Sequence, residues 1–319
     1  MSLIVGGLGG GGDIGLALIL AAQLKDAKPV FASFSGCSPD KYGGSRIVRS
    51  LFTPATYNPR DFEWSLKKLA PKAPVYKICL RAPREEVMEG VEWLISTYKP
   101  RCTLHTDLGG DGLLTGYEES LGSYIADTLA RAVLHEVATR HRIHSTLAVG
   151  ALQLEGGRRR LFSLEEQVAA IAYYEGLGHL LGVIDPPRDT VHVAKLLLYP
   201  GKEMVSVMLP LYIASLEGRT AIRITKGYST GYHKLDWWTP YVFLLDAKGT
   251  CEASPLCRSA LENWIDGIAN WQRPNPSREY ARILKRVKRD PEGWLKKIIK
   301  KYTSSQSQEG ISLAAIINC

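Results

Sequence analysis

The chain has 319 residues, of which 45% are hydrophobic and 23% charged, a composition typical of a globular protein. Its longest apolar stretch, residues 204–214, is too short to span a bilayer and contains Pro210, which argues against a membrane protein. The net charge is +8, yet residues 273–301 hold eleven Lys/Arg and three acidic residues, so the remainder is neutral. Residues 1–5 lack the features of a secretory signal, and we therefore expect a cytoplasmic protein.

The first predicted elements are a strand at residues 3–5, a glycine-rich loop at 6–12 and a helix beginning near Asp13. Such a loop brings backbone N–H groups close to a ligand, and the helix N-terminus adds unpaired N–H groups and partial positive charge. This pattern favours a phosphate or another anion; the alternatives are a close-packed turn without a ligand and, for Asp13, a simple N-cap. The predicted binding residues are Gly7, Gly9, Gly10, Gly11, Gly12 and Asp13.

The second predicted strand, residues 29–34, weighs against a standard NAD site. The loop fits the GxGxxG pattern in two registers, but a dinucleotide fold also needs an acidic residue at the end of this strand to hold the ribose. Asp40 comes too late in the chain for that role. The missing carboxylate disfavours NAD but not NADP, so an NAD(P)-dependent oxidoreductase stays as an alternative.

Strands and helices then alternate. A long polar segment, 35–63, is predicted to be a loop; strands follow at 75–80, 102–106 and 146–150, with helices at 85–98 and 121–140 between them. This alternation predicts a Rossmann-like, doubly wound α/β fold with a mostly parallel sheet flanked by helices.

A second glycine-containing motif follows the strand at 102–106 directly. Asp107 and Asp111, with Glu118 nearby, form a set of carboxylates suited to magnesium, and one of them could instead act as a general base. Because both glycine loops follow strands of one parallel sheet, we expect them to share its carboxyl edge. His105 is the candidate acid or base, the alternative being a packed strand histidine; for the aspartates the alternative is an Asp-Gly turn.

The second half is less regular. We predict helices at 164–181 and up to about residue 216, strands at 220–225 and 241–245, and a helix from Ser254 onward. Two basic amphipathic helices, 278–289 and 292–302, end the pattern. The resulting division is one α/β domain, 1–270, and a basic helical C-terminal extension, 271–319, packed on the body.

The six cysteines are scattered without zinc-ligand spacing. We expect them to be free buried thiols. Asn and Gln together number only eleven, which is typical of a thermophile, and in that setting a Cys251–Cys257 disulfide is the alternative.

Residues 9–13, residues 107–111, and residues 121–123 followed by Asp127 together resemble a largely archaeal family of proteins of unknown function. The resemblance spans at least residues 3–250 and is carried by the glycine loops. It implies a Rossmann-like α/β sandwich and a site at the sheet edge, but no activity. The basic C-terminal helices are not part of it.

These observations favour an enzyme that binds a nucleotide or a phosphorylated metabolite and performs magnesium-dependent phosphoryl or nucleotidyl transfer, or hydrolysis. The alternative outside the enzymes is a nucleic-acid-binding or assembly protein that acts through residues 273–301. The apolar faces of the basic helices could also form a homo-oligomer contact.

Overall fold

The computed structural model describes residues 2–9, 12–24, 27–37, 44–54, 62–119, 124–154, 162–198, 206–225, 230–309 and 312–319. The strands are β1 (Ser2–Gly7), β2 (Lys28–Ser35), β3 (Gly44–Val48), β4 (Leu51–Pro54), β5 (Val75–Cys79), β6 (Cys102–Leu108), β7 (His144–Gly150), β8 (Leu180–Ile184), β9 (Ala221–Ile224), β10 (Gly231–Lys234) and β11 (Val242–Asp246). The helices are α1 (Asp13–Ala21), α2 (Phe62–Leu69), α3 (Arg84–Tyr98), α4 (Ile125–His141), α5 (Leu164–Gly176), α6 (Val191–Leu196), α7 (Met208–Leu216), α8 (Ala247–Ala253), α9 (Pro255–Ala269), α10 (Arg278–Val287), α11 (Pro291–Glu309) and α12 (Leu313–Ile316).

Nine strands form one sheet in the order β3-β4-β5-β2-β1-β6-β7-β11-β8. The five central strands, from β5 to β7, are mutually parallel, whereas β3, β4 and β11 run antiparallel to their neighbours. Counted along the chain, the central strands have the order 3-2-1-4-5 of a dinucleotide-binding fold. The predicted Rossmann-like α/β fold is therefore confirmed.

Apolar side chains fill both faces of this sheet. Residues alternate between the two sides along each strand, so Leu3 and Val5 face one layer and Ile4 the other. The first layer contains α1, α2, α6, α7 and α12, and the second contains α3, α4, α5 and α8–α11. The helices change sides between β1 and β6, and the crevice where such a change occurs is the usual ligand position in open α/β sheets.

The segment 35–63, predicted as a loop, contains the antiparallel pair β3 and β4, which extends the sheet beyond β5. The prediction failed because these strands have only five and four residues, and neither contains a long apolar run. Residues 38–43 and 55–61 lie outside the described residues. The predicted helix 164–181 ends at Gly176, and β8 begins at Leu180.

The six cysteines are paired rather than free. The disulfides are Cys37–Cys79, Cys102–Cys319 and Cys251–Cys257, with Cα–Cα distances of 4.9, 5.6 and 5.2 Å. The expectation of free thiols was wrong, since two of these pairs join residues 42 and 217 positions apart, a proximity that only the folded chain creates. Among the described residues, no helix combines the length and apolarity needed to cross a membrane.

Candidate functional site

The glycine loop after β1 and the aspartate loop after β6 are tied together at the carboxyl edge of the sheet. Leu8 N donates to Thr106 O at 2.8 Å, which continues the pairing of the two strands into the loops. Thr106 Oγ1 in turn donates to the backbone oxygens of Gly6 (3.0 Å) and Asp13 (2.6 Å). The two loops thus meet between β1 and β6, where the helices change sides of the sheet.

Asp13 is the first residue of α1, and its carboxylate fastens the helix to the second loop. Its Oδ1 accepts a hydrogen bond from Leu108 N at 2.9 Å, and the side chain is buried. The N-cap is Gly12, which makes no side-chain capping bond, so the alternative in which Asp13 caps the helix is wrong. Asp13 lies one residue inside the helix, and from there its carboxylate reaches the backbone of β6.

Glycine is required at several loop positions. Gly9 has φ +61°, and a Cβ there would lie 2.7 and 2.8 Å from the two carboxylate oxygens of Asp127. A Cβ on Gly7 would meet the side chain of Asp13, and one on Gly12 would collide with Ser206. The loop is therefore packed closely on its surroundings. Gly10 and Gly11 lie outside the described residues.

Three buried carboxylates converge beside this loop. Asp107 lies near the end of β6, Asp111 begins the short 3-10 turn 111–113 and Asp127 lies in the first turn of α4. Candidate ligand oxygens from the three all lie within 4.8 Å of one another, and the side chains are 1%, 4% and 4% exposed. Asp107 Oδ2 also accepts from Gly112 N at 3.0 Å. Grouped carboxylate oxygens are the ligands that Mg²⁺ and Ca²⁺ prefer.

Glu118, predicted as a metal ligand with Asp107 and Asp111, is not part of this cluster. Its carboxylate accepts hydrogen bonds from Thr115 N (3.1 and 3.2 Å), Thr115 Oγ1 (2.8 Å) and Gly116 N (2.8 Å), and from the hydroxyl of Tyr280 (3.2 Å). Burial raises the pKa of this carboxyl, while the Thr115 and Gly116 donors oppose the shift. Glu118 therefore holds the turn at 115–118 and anchors α10.

The third member of the cluster, Asp127, was quoted in the family resemblance but not predicted as a ligand. Arg131 lies one helical turn later on the same face of α4. Its guanidinium is fully buried and donates to Leu114 O (2.6 Å), Thr250 O (3.0 Å) and the Tyr174 hydroxyl (3.2 Å). Arg131 thereby fixes α4 against the chain that follows Asp111. The Asp-x-x-x-Arg spacing, which places both side chains on one face of the predicted helix, is the sequence feature that could have indicated Asp127 as a site residue.

The aspartate loop is also held from the β7 side. Gln167 of α5 donates from Nε2 to Gly109 O at 2.8 Å and accepts from Gln153 N at 2.8 Å. Gly110 has φ +100°, and a Cβ there would lie 2.3 Å from Gln167 Nε2. Gly109 N donates to Gly150 O at 3.0 Å, which links the loop to the end of β7. Together with the contacts from β1, these contacts hold the loop that carries Asp107 and Asp111 on its β1 side and on its β7 side.

His105 lies in the interior of the sheet. The side chain is 2% exposed, its ring centroid is 5.4 Å from that of Phe34, and Nδ1 has no hydrogen-bond partner among the described residues. Burial lowers the pKa of the imidazole to about 3. The buried position and the lowered pKa favour the interpretation of His105 as a packed strand histidine over an acid–base role.

A search of curated proteins finds no match to this chain. A family model described as "Protein of unknown function (DUF1152)" matches residues 55–266. The matched region includes the aspartate loop, Asp127 and Arg131, whereas the basic helices α10 and α11 follow it. Because the model covers most of the sequence, the chain belongs to the DUF1152 family.

Proposed function

We propose that this chain is a divalent-cation-dependent enzyme that acts on a nucleotide or another phosphorylated metabolite, by phosphoryl or nucleotidyl transfer or by hydrolysis. The observation that carries the proposal is the cluster of Asp107, Asp111 and Asp127 beside a glycine loop at the point where the helices change sides of the sheet. The three carboxylates offer candidate ligand oxygens within 4.8 Å of one another, and such a group of oxygens suits a divalent cation.

The two halves of the proposed site have different tasks. The N-terminus of α1 and the amides of the glycine loop would hold the phosphate, because unpaired N–H groups and the helix dipole favour an anion there. The three aspartates would hold magnesium, which when bound neutralises phosphate charge and polarises a phosphoryl oxygen. The carboxylate of Asp13 accepts the Leu108 amide, so this residue supports the loops as a positioning residue. His105 has no chemical role in the proposal.

The residues at the end of β2 support this proposal over an NAD-dependent oxidoreductase. The chain at the end of β2 reads Ser35-Gly36-Cys37, without a carboxylate to hold a ribose, and Cys37 is bonded to Cys79 of β5. NADPH stays in the experiment below as a ligand to be tested.

The proposal is tested by thermal unfolding of the full chain with MgCl₂ or MnCl₂, alone and combined with AMP, ATP, glucose 6-phosphate or NADPH. A ligand at one hundred times its Kd stabilises the folded state by about 2.7 kcal/mol, which for a chain of this size raises the Tm by roughly 5 °C. We expect such a shift with a metal and one phosphorylated ligand together, and its loss in Asp111→Asn.

Asp246→Asn is the matched control. Asp246 is the N-cap of α8, and an asparagine can still cap the helix, so this variant removes one carboxylate away from the cluster and should keep the full ligand shift. Glu118→Gln should also keep it, since Glu118 is outside the cluster. A cooperatively melting wild-type protein without any metal-dependent shift, or a shift that survives in Asp111→Asn, contradicts the proposal. A shift with NADPH that needs no metal supports the oxidoreductase instead.

A further inference from the structure

The cations of the basic C-terminal segment lie at the protein surface. All eleven Lys/Arg between residues 273 and 301 have exposed side chains. We call them the basic face: Arg273, Arg278, Arg282, Lys285, Arg286, Lys288, Arg289, Lys296, Lys297, Lys300 and Lys301. Their spacing along α10, with cations at 278, 282, 285, 286 and 289, places them on one side of the helix.

The opposite sides of both helices are buried against the body of the protein. The anchoring residues of α10 are Tyr280 and Val287, each 0% exposed, and those of α11 are Leu295, Ile298 and Ile299, at most 5% exposed. They pack in the core layer that contains α5. The helices are thereby fixed to the body with their cations directed to solvent.

Few acidic groups offset this charge. Within 273–301 the only acids are Glu279, Asp290 and Glu292. Among the described residues, the ion pairs involving the basic face are Arg282–Glu279 at 3.9 Å and Lys301–Glu175 at 2.7 Å. Because the rest of the chain is neutral, the net positive charge is concentrated in this exposed segment.

We propose that the basic face binds the phosphodiester backbone of a nucleic acid duplex. Dense exposed cations on rigid helices suit a duplex, which carries a phosphate charge every ~1.7 Å of its axis. At about 1.5 Å per residue, α10 extends about 15 Å and the cationic part of α11, residues 296–301, extends about 9 Å, enough to follow several phosphates. Contacts to phosphates alone read no base sequence, so the binding is independent of sequence.

The same surface is poorly suited to a membrane or a single strand. A helix that lies in a membrane interface inserts an apolar face, and here the apolar faces of α10 and α11 pack against the core of the protein. Single strands are held by exposed aromatic rings on which bases stack. Here Tyr280 of α10 is fully buried, and Trp294 and Tyr302 of α11 are partly buried and pack against the core. The segment also follows the region matched by the family model, so this inference is independent of the proposed enzymatic function.

The test measures fluorescence anisotropy of labelled 20-base-pair DNA and RNA duplexes with the full chain, in 50 to 300 mM KCl. The variant replaces three exposed arginines of α10, written Arg282→Gln, Arg286→Gln and Arg289→Gln. Each lost phosphate contact reduces the slope of log K against log salt by about 0.9, so the triple variant should lose roughly 2 to 3 from the slope and bind at least tenfold more weakly at low salt.

A second triple variant controls for the change in net charge. It replaces three exposed cations on the body, far along the chain from the basic face: Lys72→Gln, Lys99→Gln and Arg101→Gln. This control should keep the wild-type slope. Comparison of the two duplexes shows whether DNA or RNA is preferred.

Three outcomes overturn the inference: no binding to either duplex at 50 mM KCl, equal losses in both triple variants, or binding only to vesicles containing phosphatidylserine. The α10 variant should retain any metal-dependent thermal shift, because its substitutions are outside the aspartate cluster. Failure of duplex binding and failure of the metal site are therefore measured separately.

Discussion

Replacement of Gly9 by alanine tests whether the glycine loop and α4 meet as the structure describes. Gly9 has φ +61°, a conformation that costs an alanine roughly 1–2 kcal/mol. The new Cβ would also lie 2.7 Å from Asp127 Oδ2, closer than real Cβ contacts, and overpacking of this kind costs about 1–3 kcal/mol. The free energy of unfolding should therefore fall by roughly 2–5 kcal/mol.

The assay is urea unfolding in the presence of EDTA, so that bound metal does not contribute. Gly36→Ala is the matched control, because a Cβ at Gly36 would meet nothing within 4 Å. That variant should be unchanged or more stable by up to about 1 kcal/mol, since alanine reduces the entropy of the unfolded chain.

A double-mutant cycle separates the two costs in Gly9→Ala. In an Asp127→Ala background the steric cost disappears and the backbone cost remains, so we expect an interaction energy of about 1–3 kcal/mol. An identical loss in both backgrounds would refute the contact between Gly9 and Asp127. A loss below about 1 kcal/mol in the wild-type background would refute the left-handed conformation of Gly9.

Three further measurements test the packing around the site. Tyr280→Phe removes the hydroxyl that donates to Glu118 and should lower the free energy of unfolding by about 1–2 kcal/mol in urea, with little change in exposed surface. Because burial holds the pKa of His105 at about 3, the unfolded state binds a proton that the folded state does not between pH 3 and 6.5. The free energy of unfolding should thus decrease as the pH is lowered through that window, by about 2 kcal/mol from pH 7 to pH 5 in EDTA. The His105→Phe variant should lack this contribution to the pH dependence. Joint replacement of Cys37 and Cys79 by serine should cost about 3–4 kcal/mol, because that disulfide closes a loop of 42 residues, and an unchanged urea midpoint would contradict the pairing.

The amino-acid sequence by itself determined the local elements and the fold class. A strand followed by glycines and a helix at residues 3–21, and the alternation from 75 to 150, are properties of neighbouring residues, so periodicity and turn chemistry reveal them. The same reasoning placed Asp107 and Asp111 at the carboxyl edge of a parallel sheet, where the structure also has them. This reasoning did not find strands β3 and β4, because their pairing with each other and with β5, not their own composition, makes them strands.

Only the tertiary structure decided which carboxylates come together. Glu118 is seven residues from Asp111 in the chain but is turned away toward Tyr280, whereas Asp127, sixteen residues from Asp111, joins the cluster because α4 packs beside the loop. The cysteine pairs have the same origin, since Cys102 and Cys319 meet only after the whole chain has folded. Such contacts depend on how helices pack over the sheet, and that packing is set by shape and burial summed over many residues that no local pattern encodes.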